Sequence, residues 1–167
     1  MKGGRILMIH PFEPIYTKES KILILGSLPS VTSRENEFYY GHSQNRFWKV
    51  LAEILNQSLP INQSEKKAFL DQHNIALWDV IASCDIKASS DSSIKNVKVN
   101  NFTTIFNSSK ITTVFTNGQK AHQLYIKNCF DIYQIPVIPL PSTSPANQAR
   151  YPYHKLKESW QILTNYL

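Results

Sequence analysis

Residues 21–30 read Lys-Ile-Leu-Ile-Leu-Gly-Ser-Leu-Pro-Ser, and this stretch decides the architecture. Its four apolar side chains at 22–25 follow one another without a polar break, so both faces of the segment must be covered. Strands covered on both faces are typical of parallel sheets sandwiched between helices. Gly26 ends the run and lets backbone approach a neighbour closely, and Pro29 stiffens the turn beyond it.

Working outward, Phe47, Trp48, Val50, Leu51, Ile54 and Leu55 recur at helical spacing. A second helix is expected over 64–73, with Ser64 as its N-cap and Glu65 in the first turn. Residues 75–81 read as a second strand or an extended segment, and 101–106 as a short helix. The β-branched run 111–116 predicts a third strand, after which Asn117-Gly118 turns into a helix running through Cys129. Val137–Leu140 predicts a fourth strand, followed by a Pro/Ser loop and a last helix from about Tyr153. Strands alternating with helices predict an α/β fold: three layers, α/β/α, around a central four-stranded, mainly parallel sheet. Residues 1–167 are expected to form one domain. Ligands bind such sheets at the carboxyl ends of the strands. Two loops stand there, 26–45 and 141–151.

The 167 residues carry 18 Lys+Arg against 12 Asp+Glu, a net charge of +6. Hydrophobic residues make up 42% and charged ones 18%, which suits neither a disordered tail nor a membrane protein. The apolar runs fall far below the roughly 18 residues of a spanning helix. Lys2 and Arg5 precede too short an apolar run for a secretory leader. These features predict a cytoplasmic protein with no membrane partner. Cys84 and Cys129 show no metal-ligand spacing and read as small buried hydrophobes. Residues 1–85 hold nine basic and nine acidic side chains, so the excess charge lies wholly in 86–167. A basic half is either a nucleic-acid footprint or a solvated surface.

In the first loop, Phe38, Tyr39 and Tyr40 are consecutive aromatics among polar residues. They offer a stacking platform for a base, or they plug the loop onto the core. Asn45 stands where the loop meets a helix, a plain capping position, and Trp48 and Trp78 read as core. In the second loop, Ser142, Thr143 and Ser144 offer hydroxyls and amides to phosphate oxygens, and Arg150, His154 and Lys155 add positive charge. Pro141, Pro145 and Pro152 stiffen it, as a preorganised binding edge requires. No phosphate-binding Gly-rich signature, serine-hydrolase elbow or zinc-protease motif is present.

Taken in series, GSLPS at 26–30, YYGHSQNRFW at 39–48, ALWDVIASCDIKASSDSSIKN at 76–96, FTNGQKA at 115–121 and LPSTSPAN at 140–147 resemble the uracil-DNA glycosylase superfamily. They look most like its hypoxanthine-DNA glycosylase (deoxyinosine glycosylase) branch. The resemblance implies an enzyme that flips a damaged nucleotide out of double-stranded DNA and hydrolyses its N-glycosidic bond, leaving an abasic site for base excision repair. It implies a monomer that uses no cofactor, metal or lysine Schiff base. Gly26, Ser27, Leu28, Pro29 and Ser30 match the superfamily's first motif, with no acid where other branches carry a catalytic Asp or Asn. The resemblance assigns catalysis to Asn45 and base stacking to Tyr40. Ser142, Thr143, Ser144, Pro145, Ala146 and Asn147 match the second motif, the loop that grips the DNA backbone, and Arg150 follows it. That motif lacks the His of many branches, and Ser43 stands where this branch usually has Pro.

A neutral Asn cannot abstract a proton from water at pH 7, but its amide oxygen can hold a water beneath C1′. Backbone amides of 27–30 would stabilise the charge developing on the leaving base. His42 either donates to the base or hydrogen-bonds within its loop; Glu35 is the second choice as general base. Two other functions remain open at this point. The same fold could act on uracil or on G-mismatched U or T. A non-catalytic damaged-DNA-binding module would also account for the missing acid.

Overall fold

The computed structural model describes residues 6–29, 33, 38–87 and 93–167. Its central sheet has four strands in the order β3-β2-β6-β7, every neighbouring pair parallel. They are β2 (Ile22–Gly26), β3 (Ile75–Asp79), β6 (Thr113–Asn117) and β7 (Val137–Leu140). The apolar run of β2 is buried along its whole length. Its side chains alternate between two cores, as the period of a strand requires. Ile22 and Ile24 face Phe47, Leu51, Leu70 and Trp160, on the side of α1 (Phe47–Ile54), α2 (Gln63–Gln72) and α6 (Tyr153–Trp160). Leu23 and Leu25 face Phe102, Ile105, Ala121 and Tyr125, on the side of α3 (Thr103–Asn107) and α4 (Gln119–Asn128). The three expected layers are present.

A second sheet was not anticipated. β1 (Ile6–Ile9), β4 (Ile81–Ile86) and β5 (Lys95–Val99) pair antiparallel in the order β1-β4-β5. The segment 75–81 therefore divides: β3 ends at Asp79, and Ile81 already belongs to β4. Val80 N donates to Gly26 O at 2.8 Å and Ile81 N to Ser27 O at 3.1 Å, which carries the chain from one sheet to the other.

Smaller corrections have local causes. The N-cap of α2 is Asn62, not Ser64: its side chain accepts from Glu65 N, while Glu65 Oε2 accepts from Ile61 N. Both orphan amides are thus satisfied one turn earlier than Ser64 could manage. The helix after Gly118 stops at Asn128, and α5 (Phe130–Tyr133) follows as a separate turn. Both cysteines are buried and free, and burial pushes the Cys129 thiol up to about 11. Among the described residues, no helix is long and apolar enough to cross a membrane.

Leu23 is fully buried, so Leu23→Ala is expected to cost about 2–5 kcal/mol in chemical denaturation. Ile9, 68% exposed, should tolerate Ala within about 0.5 kcal/mol. Equal losses at both positions would contradict the layer assignment.

Candidate active site

The carboxyl ends of four strands form the floor of the site. Register sets Gly26 of β2 beside Asp79 of β3, and Asn117 of β6 beside Leu140 of β7. Gly26 is required there: a Cβ would stand 2.4 Å from Asp79 Oδ1 and 2.9 Å from the Tyr40 hydroxyl. Beyond Gly26 the first motif divides. Ser27 is half-buried and Pro29 buried, whereas Leu28 packs on the small apolar cluster of the second sheet with Met8, Ile81 and Cys84. Ser30, Glu35 and Glu37 lie outside the described residues.

The aromatic triplet divides its labour. Tyr39 is buried and donates its hydroxyl to Glu13 O at 2.9 Å. Phe38 packs near Trp48, so both rings plug the loop onto the core. Tyr40 differs. Its φ of 54° is left-handed, a conformation that costs a bulky residue about 1–3 kcal/mol and persists only where neighbours enforce it. One face of its ring stacks on Phe47 at 4.1 Å, leaving the opposite face for a flat ligand. Its hydroxyl is buried without a hydrogen-bond partner. Asn117 lies nearby, but its side-chain amide is already paired with Thr143. Burial, and then the charge of Asp79, hold the Tyr40 phenol far above its ordinary range, so it stays a hydrogen-bond donor.

Asn45 is half-buried at the entry to α1, and its Oδ1 accepts from Phe47 N at 3.0 Å. That bond orients the amide and occupies one of the two acceptor sites on its oxygen. Three residues back, His42 Nδ1 accepts from Gln44 N at 3.0 Å, which leaves Nε2–H as its donor.

Arg46, which the sequence reading passed over, joins the two loops. It is 7% exposed, and no carboxylate pairs with it among the described residues. Its guanidinium donates instead to the carbonyls of Ser142, Thr143, Ser144 and Tyr151, and its backbone N donates to Thr143 O. Burial alone pulls its pKa down, and an arginine remains charged regardless. Thr143 completes the joint. Asn117 Nδ2 donates to its Oγ1 and its N donates to Asn117 Oδ1, both at 3.0 Å. Thr143 is fully buried, so it holds the loop and does not face a ligand, contrary to the expectation of phosphate contact. Gly118, with φ of 95°, fits beside Ser142, whose Cβ a glycine-borne Cβ would meet at 3.1 Å.

The rest of the second loop is poised outward. Ser142 and Ser144 use their hydroxyl oxygens to accept from Ser144 N and Ala146 N, which leaves each O–H free to donate. Pro145, Ala146 and Asn147 form a single 3-10 turn, with Asn147 Nδ2 returning to Ser142 O. Ala146 and Arg150 are exposed. Trp160 Nε1 anchors the loop's start by donating to Pro141 O at 2.9 Å.

Sequence reasoning also missed Asp79 and His10. Asp79 closes the buried strand β3, and a carboxylate ending such a strand was the available signal. Nothing local marked His10, 69 residues away, as its partner. Among the described residues, no cluster of three or more His, Cys, Asp or Glu is arranged to hold a metal.

The profile of the uracil DNA glycosylase superfamily matches residues 13–164. A protein from Methanosarcina acetivorans named hypoxanthine DNA glycosylase is 33% identical over 155 residues, 91% of this chain and 95% of its own. A namesake from Methanosarcina barkeri is 34% identical over 112 residues, 66% of this chain and 71% of its own. A solution NMR structure from Methanosarcina acetivorans, provisionally described as a uracil DNA glycosylase, superposes with a TM-score of 0.81. It is 28% identical and the match covers 95% of this chain and 96% of that one. Sequence profile, relatives and fold agree: the chain belongs to the uracil DNA glycosylase superfamily.

Proposed function

We propose that this protein is a DNA glycosylase that hydrolyses the N-glycosidic bond of hypoxanthine in DNA. The observation that carries the reading is the 33% identity, across 91% of the chain, to a relative named hypoxanthine DNA glycosylase. The geometry supports it. A flipped base stacks on the free face of Tyr40, whose other face rests on Phe47. Asn45, held by Phe47 N, uses the remaining acceptor site of its oxygen to hold a water beneath C1′.

The C1′–N9 bond breaks first in this scheme, its electron pair going to the purine and its positive charge spreading over the sugar ring. The water oxygen then adds to C1′ and its proton is lost to solvent. A neutral amide suffices because the cation needs an oriented water more than a strong base. His42 Nε2–H, free of its loop partner, donates to the departing purine. Flipping costs a few kcal/mol and least for a mispaired base, which adds selectivity before any bond breaks.

In the second loop, the Ser142 and Ser144 hydroxyls and exposed Arg150 contact phosphates, and residues 146–150 fill the space the base vacates. The excess charge of residues 86–167 lies in the same half of the chain. Uracil is the second reading, favoured by the provisional description of the NMR structure. Duplexes carrying one deoxyinosine or one deoxyuridine, followed by alkaline cleavage at abasic sites, separate the two. Cutting at deoxyinosine is expected; cutting at deoxyuridine alone would overturn the hypoxanthine assignment.

Asn45→Ala should slow single-turnover cleavage of the deoxyinosine duplex by about a hundredfold or more, the scale of losing a positioned catalytic contact. Its duplex affinity should change by less than about threefold, since phosphate contacts dominate binding. Unchanged turnover would remove Asn45 from the mechanism. Arg46→Met should act in the opposite sense, weakening binding of every duplex by about tenfold, one charge-assisted hydrogen-bonding group's worth. Wild-type affinity in that variant would show that loop 141–151 does not depend on the guanidinium.

A further inference from the structure

Asp79 carries an oxygen with no assigned work. The residue is 3% exposed, and its carboxylate is fixed on one side by His10, whose Nε2 meets Oδ2 at 2.7 Å. His10 is itself held, its Nδ1 lying 2.9 Å from Phe12 O and 3.2 Å from Phe12 N. The Asp79 backbone is pinned too, its carbonyl accepting from Asn100 Nδ2 at 2.8 Å. So Oδ2 is committed and the side chain cannot swing. Oδ1 points toward the backbone of Gly26, beside the Tyr40 hydroxyl, and no donor reaches it among the described residues. The Tyr40 hydroxyl is likewise unpartnered. Buried polar atoms are nearly always satisfied, so two neighbouring exceptions at a sheet's ligand-binding edge call for a partner from outside the chain.

The chemistry of deamination names that partner. Replacing the exocyclic amine of adenine by oxygen turns the N1 lone pair into an N1–H; cytosine to uracil does the same at N3. A carboxylate oxygen only accepts. It therefore pairs with the ring N–H of a deaminated base and faces a lone pair in the normal parent, where it would be left unpaired and repelled.

We propose that Asp79, oriented by His10, is the specificity-determining residue that reads the ring N–H created by deamination, through its free Oδ1. This deepens the glycosylase reading and rests on it. His10 is a positioning residue: it occupies Oδ2 and thereby aims Oδ1. Both lie outside the motif residues assigned to catalysis and DNA contact.

The test compares single-turnover cleavage of duplexes with one deoxyinosine or one deoxynebularine, a purine nucleoside with a lone pair at N1 and no O6. In Asp79→Asn, His10 holds the amide oxygen and turns the NH2 toward the ring nitrogen, so donor meets donor in hypoxanthine. The ratio of deoxyinosine to deoxynebularine rates should fall by about tenfold or more, the discrimination one buried polar mismatch supplies. His10→Phe should lower the same ratio, and His10→Gln, which keeps an N–H donor, should restore it. The histidine pair also serves if Asp79→Asn does not fold. A parallel loss on both substrates, with the ratio unchanged, would make the pair a structural brace and overturn the proposal. If wild-type protein cuts no deoxyinosine at all, the glycosylase reading fails and the proposal falls with it.

Discussion

A guanidinium buried without a carboxylate holds the two halves of the site together. Arg46 sits between Asn45 and Phe47, so its backbone belongs to the loop that would hold the water. Its side chain belongs to the other loop, through four carbonyls from Ser142 to Tyr151. Carbonyl dipoles in place of a counter-ion leave the positive charge in the loop unneutralised, which suits a loop that meets phosphates. The Asn117–Thr143 pair ties the same loop to the end of β6. Movement at any one of these points would carry to the others, because donors and acceptors are shared.

That joint was illegible in the chain. Arg46 reads as an ordinary basic residue at a helix start, and its acceptors are backbone atoms about a hundred positions away. The parallel sheet, by contrast, was legible. Two-sided burial leaves an uninterrupted apolar run at 22–25, and helical spacing is plain from Phe47 onward. The antiparallel sheet hid itself for the converse reason. Its strands are half-exposed, with Ile6, Leu7 and Ile9 in solvent, and β1 pairs with residues nearly eighty positions later. Periodicity cannot announce a pairing of that range.

Within the site, loop residues with special backbone chemistry were visible and side-chain pairs were not. Gly26, Tyr40, Asn45 and the serines of the second loop stood out from the residues they sit among. Thr143 stood out too, and the structure assigns it to the interior. The His10–Asp79 pair was invisible because one member ends a buried strand and the other precedes the described loops altogether. The excess charge of residues 86–167 has gained a location: the exposed loop bearing Arg150, His154 and Lys155 opens from the carboxyl edge of the sheet. A polyanion laid along that edge would meet positive charge from one half of the chain and the candidate chemistry from the other.

The most direct test is the structure of the Asn45→Ala variant bound to a duplex with a single deoxyinosine, in which binding survives and cleavage does not. The account predicts hypoxanthine out of the stack, its ring against the free face of Tyr40 and its N1 within hydrogen-bond distance of Asp79 Oδ1. The deoxyribose C1′ should face residue 45, with residues 142–150 along the neighbouring phosphates. A base still stacked within the duplex, or one flipped with its C1′ turned away from residue 45, would contradict it.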